Sequence, residues 1–252
     1  MSTFFETECG GETVTIEKTD DGDFIFHGYD ENAELAAIEL GFEPSLCWAV
    51  WNAINEDRLD RELFHQAYIG NVLMVEVLLF VGVSANAIGI SGWTPLHAAA
   101  FGDYCNVAKI LLNAGASVSA EDDDGWTPLY TSAVYGYADT LKILLDAGAS
   151  ANCKEHNGLT PLHVAARDGR TDVVKILLEA GASVDASDDE DWTPLHEAVT
   201  NGSAVVVSIL LDAGASVDAK DAAGGTPLHI AEVNKNTRIA EILADWIAEH
   251  GS

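Results

Sequence analysis

The chain has 252 residues, with 41 Asp and Glu against 12 Lys and Arg, giving a formal charge of −29. At 48% apolar and 8% aromatic it can bury a substantial core, so compositional disorder is excluded. A field of this sign disfavours nucleic acid and anionic membrane surfaces and attracts basic partners. No run approaches the roughly 18 apolar residues of a membrane span.

Residues 1–12 read as a loose acidic leader, without the basic and long apolar stretches of a secretory signal. A cytoplasmic protein is therefore expected. Residues 13–18 and 23–27 alternate with period two around an Asp-Gly turn at 19–22, which predicts a β-hairpin. Asp30 is a suitable N-cap for a helix over 31–40 that ends near Gly41. Pro44 and Ser45 open a second helix over 46–54, whose apolar face includes Trp48, Val50, Trp51 and Ile54. Residues 1–58 are thus expected to form a small α/β cap on the rest of the chain. They hold much of the acid: residues 1–62 contain 16 acids and three bases. Cys9, Cys47, Cys105 and Cys153 form no C-x-x-C motif and read as reduced structural thiols.

From residue 59 the chain repeats. Thr94-Pro95-Leu96-His97 returns as Thr127-Pro128-Leu129-Tyr130, Thr160-Pro161-Leu162-His163, Thr193-Pro194-Leu195-His196 and Thr226-Pro227-Leu228-His229, each 33 residues after the last. Such a fixed period marks a repeat architecture. Thr is placed to cap a helix, and Pro suits its first turn, where no N–H partner is needed. Downstream come the apolar triplets at 110–112, 143–145, 176–178 and 209–211, closed by Ala-Gly pairs at 114–115, 147–148, 180–181 and 213–214. Gly there supplies a left-handed helix end.

A 33-residue unit with T-P-L-H-x-A resembles the ankyrin repeat family. The resemblance covers residues 59–252 and implies an all-α solenoid of β-turn fingers and helix pairs, below the small N-terminal hairpin and helix cap. The units are 59–91, 92–124, 125–157, 158–190, 191–223 and 224–252. The first departs from the motif, with Arg61 and Glu62 where Thr-Pro stands elsewhere. The last continues its second helix through His250 and reads as a C-terminal cap, which argues for a monomer.

Chemistry is weakly signalled. There is no nucleophile elbow, no Gly-rich phosphate loop and no calcium-loop spacing. No catalytic residue, cofactor or metal is expected. Equivalent His in stacked units lie about 8–10 Å apart, too far to share zinc at about 2.0–2.1 Å. The resemblance implies a structural hydrogen-bonding role for them.

Binding is better signalled. The resemblance implies a concave groove lined by the fingers and first helices. Trp93, Trp126, Leu159 and Trp192 precede the Thr-Pro pairs and form a mostly apolar stripe, or else pack on neighbouring fingers. Beside them stand the finger acids Asp123 and Asp124, then Asp189, Glu190 and Asp191. Asp191 replaces the Gly of other fingers. Phe101, Tyr135 and Arg167 are read as helix-start positions on the same face. Glu197 follows His196 where small or apolar residues follow the other histidines, and reads either as partly exposed or as a pocket carboxylate.

The expected function is non-enzymatic binding of a basic protein segment in this Trp/Asp groove, as an adaptor or dedicated chaperone, with no nucleic acid or membrane partner. Two alternatives remain. The repeats could be a targeting arm for an effector or regulatory head in residues 1–58, or the acidity could be salt adaptation in a structural protein.

Overall fold

The computed structural model describes residues 59–80 and 82–250 in full and, before them, the backbone of three strands within residues 3–27. β1 (Thr3–Cys9), β2 (Glu12–Lys18) and β3 (Phe24–His27) form an antiparallel sheet in that order. The expected hairpin is present, with Thr15 opposite His27 and Lys18 opposite Phe24. The loose leader is corrected: residues 3–9 pair along β2, from Thr3 opposite Lys18 to Cys9 opposite Glu12. The run is rich in aromatic and β-branched residues, and its strand propensity prevails over its charge. The Asp-Gly turn, the helices over 31–40 and 46–54, and their role as a cap lie outside the described residues.

Twelve helices follow among the described residues, in six pairs. The first helices are α1 (Leu59–Tyr68), α3 (Pro95–Phe101), α5 (Pro128–Tyr135), α7 (Pro161–Arg167), α9 (Pro194–Asn201) and α11 (Pro227–Val233). The second helices are α2 (Val72–Phe80), α4 (Cys105–Asn113), α6 (Ala138–Asp146), α8 (Thr171–Glu179), α10 (Ala204–Asp212) and α12 (Thr237–His250). First helices pack on first helices and second on second, giving two layers.

The period places the core. Leu63, Leu96, Leu129, Leu162 and Leu195 have no exposed surface, and neither do Leu78, Leu111, Leu144, Leu177, Leu210 and Leu243. Each such burial contributes about 1.5–3 kcal/mol before ordering entropy is subtracted. In the triplets at 110–112, 143–145 and 176–178 the middle Leu is the fully buried member, in the fourth Leu210 and Leu211 are both buried, and Ile110, Ile176 and Ile209 lie partly buried against the core. The second helices end as expected. The Gly115 N–H bonds the Leu112 carbonyl, the Ala116 N–H bonds that of Leu111, and Gly115 is left-handed at φ 86°.

The Thr-Pro-Leu-His motif does two jobs. Within a unit Thr94 is the N-cap, Pro95 opens α3, and the Thr94 N–H donates to His97 Nδ1 at 3.2 Å. Between units the other imidazole nitrogen, Nε2, lies 2.9 Å from the carbonyl of Trp126, in the next finger. Since Nδ1 accepts, the proton sits on Nε2, which donates. His163 bridges in the same way to Trp192 at 3.0 Å, and His196 to Gly225 at 3.3 Å. Tyr130 fills the slot in the third unit and makes no such bridge among the described residues. His229 is exposed.

Burial holds the imidazoles of His97, His163 and His196 below the ordinary value, against the pull of the carbonyls they bond. They stay neutral in the fold while the unfolded chain takes up protons below about pH 6.5. Their contribution to stability is complete above that pH and is lost as pH falls below it. His163→Ala is expected to cost about 1–3 kcal/mol at pH 7 in urea denaturation, because it leaves buried polar groups unpaired. His163→Gln gives the pH signature: its stability deficit against the parent should narrow as pH falls from 7 to 5. A deficit that widens over that range would contradict a neutral, buried imidazole.

Candidate protein-binding groove

The second to fifth fingers are each closed by a carboxylate that serves its own backbone. The Asp122 N–H bonds the Trp126 carbonyl, and Asp122 Oδ1 accepts from the N–H of Asp124 and Trp126 at 2.9 and 2.8 Å. Glu155, Asp188 and Asp221 repeat this on the third, fourth and fifth fingers. These four acids recur every 33 residues, a signal present in the sequence but masked by the neighbouring acids. The other acids of the fingers, Asp123, Asp124, Asp189, Glu190 and Asp191, are exposed.

Neighbouring fingers bond one another through backbone. The N–H of Asp123 reaches the Ser91 carbonyl, that of His156 reaches Asp124, that of Asp189 reaches Asn157, and that of Ala222 reaches Glu190. On the far side, Asn86 donates to the Gly115 carbonyl and accepts from the Ser117 N–H, and Asn152 repeats this with Gly181 and Ser183. Sequence reading missed this second tie as well, although Asn86 and Asn152 stand two periods apart.

The residues before the Thr-Pro pairs are half-buried and lie mainly against their own first helices. The ring of Trp93 is 6.0 Å from His97 and 5.6 Å from Phe101, Trp126 is 5.0 Å from Tyr130, and Trp192 is 5.8 Å from His196. The expected positions of Phe101, Tyr135 and Arg167 are corrected. They are the last residues of α3, α5 and α7, not helix starts, because these helices begin at the Pro and run only seven or eight residues. Phe101 and Tyr135 still share one face: Phe101 meets Trp93, and Tyr135 meets Phe101 at 4.8 Å. Tyr68 extends the row, 5.6 Å from Phe101. Ile88 and Ile90, on the first finger, are 75% and 84% exposed.

Four of the candidate residues meet in one place. Leu159, Asp189, Glu190 and Trp192 line an open pocket of about 360 Å³, together with Asn157, Asp188 and Glu197. Glu197 is half-buried and its carboxylate is one of those lining this pocket. Burial raises its pKa, as do Asp188 and Asp168, while Arg167 opposes the shift. Arg167 is itself engaged by Asp168 at 3.5 Å. Trp93, Phe101 and Tyr135 form a separate aromatic patch, and Asp123 and Asp124 sit on the finger between patch and pocket. Among the described residues no group of three or more His, Cys, Asp or Glu is placed to hold a metal ion, and no helix is long and apolar enough to cross a membrane.

A family model described as ankyrin repeats (3 copies) matches residues 63–155, 103–188, 138–221 and 186–251. No curated protein matches the chain.

Asp191 adopts the left-handed conformation of the Gly it replaces, with φ 60°. A Cβ on Gly92 or Gly158 would collide with Asp123 or Asp189 of the next finger. After Asp191 the next finger carries Ala222 at the matching position, which leaves room for a side chain. The strain remains. Asp191→Gly is expected to raise stability by about 0.5–1 kcal/mol in urea denaturation. An unchanged or lower stability would mean that the carboxylate makes a compensating contact.

Proposed function

Because the chain belongs to the ankyrin repeat family, whose repeats are protein–protein interaction modules, we propose that its finger face binds a basic protein segment, as an adaptor or dedicated chaperone would. One observation carries this reading: the pocket where Trp192 and Leu159 stand beside Asp189, Glu190 and Glu197. An ammonium or guanidinium head meets the carboxylates there, while its methylene stem covers apolar surface or stacks on indole. Half-buried Trp residues suit such an interface, since aromatic anchors dominate binding energy. The net charge of −29 adds long-range attraction for a cationic partner.

The test is a pull-down of basic clients on the full chain at low and moderate salt, with Trp126→Ala/Trp192→Ala and Asp189→Asn/Glu190→Gln alongside. The Trp variant is expected to lose client at both salt levels, roughly tenfold or more. The carboxylate variant should weaken binding mainly at low salt, because exposed charges are screened beyond about 8–10 Å near physiological ionic strength. Thermal melts establish that both variants remain folded. Unchanged recovery in folded Trp and carboxylate variants would remove the groove from the function.

A further inference from the structure

The finger face is not uniform along its length. Its first part is apolar: residues 84–96 carry no Asp, Glu, Lys or Arg, Ile90 and Tyr68 are exposed, and Phe101 and Trp93 supply the ring surface between them. Beyond it the exposed acid alternates. The second finger presents Asp123 and Asp124, and the fourth Asp189, Glu190 and Asp191. The third, between them, is nearly neutral: Lys154 donates to the Ser187 carbonyl, His156 is a base, and Glu155 is turned inward onto its own backbone. The acidic stations therefore recur every second unit.

That recurrence is a length. The fingers are held in step by backbone bonds, and successive packed helices lie about 8–10 Å apart, so two units span roughly 16–20 Å. An extended chain covers about 3.3 Å per residue, so it crosses that span in five or six residues. A helix, at about 1.5 Å per residue, would need roughly 11 to 13. The pocket at Trp192 and Glu197 has room for a side chain, not for a helix of about 10–12 Å diameter.

Resting on the proposed function above, we infer that the occupant is an extended segment of defined register. It carries an apolar anchor on the Ile90, Tyr68 and Phe101 patch, then a Lys or Arg against Asp123 and Asp124. A second Lys or Arg, five or six residues further on, enters the pocket between the third and fourth fingers. The two charged stations and the apolar one act together, so a merely basic segment binds less well than one with this spacing. Arg167 faces the pocket carboxylate Glu197 but is engaged by Asp168, which leaves Glu197, with Asp189 and Glu190, for the incoming cation.

The experiment measures binding of fluorescein-labelled synthetic peptides to the full chain by anisotropy. Each peptide has one Leu anchor and two Arg in a Gly/Ser background, with the second Arg placed two to 13 residues after the first. Affinity is expected to peak at a spacing of five or six, about tenfold above the shortest spacing. Glu190→Gln/Glu197→Gln and Asp123→Asn/Asp124→Asn should each abolish the peak, and replacing Leu by Gly should weaken the best peptide severalfold. Equal, salt-sensitive affinity at every spacing would overturn the register while leaving basic-segment binding intact. A peak near 11 to 13 would overturn the extended conformation. Failure of every peptide to bind at low salt would overturn the proposed function as well.

Discussion

A buried imidazole of one unit donating to a finger carbonyl of the next is the bond on which this molecule depends. The helix pairs are too short to be stable alone: the first helices run seven to ten residues and most second helices nine. Their apolar faces become a core only when units stack. His97, His163 and His196 make stacking directional, because one ring nitrogen fixes the start of its own helix and the other reaches forward. The interface after Tyr130 departs from this. A buried phenol stands there, its pKa pushed up by burial and by Glu155. Tyr130 packs on Trp126 of its own unit, as His97 and His196 do on Trp93 and Trp192, so apolar stacking holds that step without the polar bridge.

The same bond positions the finger face. Fixing the Trp126 and Trp192 carbonyls fixes the fingers, and the finger-to-finger backbone bonds extend that order across the array. Side chains at matching positions are then presented at a regular interval. The surface differs from unit to unit only in what those positions hold: isoleucine on the first finger, aspartates on the second, a neutral third, and carboxylates over a pocket on the fourth. A rigid scaffold carrying variable stations lets a binding face be changed without changing the fold.

Most of the architecture was legible in the sequence because a 33-residue period is a strong constraint. Helix starts, the buried leucines and the extended last helix all follow from Thr-Pro pairs, apolar triplets and Ala-Gly endings. The site was legible only in part. Asp122 and Asp188 stand in the same acidic runs as Asp123 and Asp189, yet the former close their own fingers while the latter face outward. Charge alone does not separate those roles; the recurrence of Asp122, Glu155, Asp188 and Asp221 does. Phe101, Tyr135 and Arg167 were read as helix starts but end their helices, since Pro marks where such a helix begins and nothing as clear marks its last turn. Tyr68 and Ile90 escaped notice because they lie outside the motif, and a lone apolar residue in a sequence does not disclose that it stays exposed. The strand at 3–9 was hidden by its glutamates.

In the proposed function the acids beside Trp192 and Leu159 receive the cations of a partner, and the rest of the functional reading turns on that contact. Zero-length carbodiimide coupling of a Lys-containing basic peptide to the full chain, with the linked residues located by mass spectrometry, tests it most directly. Amide links are expected to concentrate at Asp189, Glu190, Asp191 and Glu197, with a lesser set at Asp123 and Asp124. Links spread instead over the equally exposed acids of the second helices, such as Asp146, Glu179 and Asp212, or confined to residues 1–58, would contradict it.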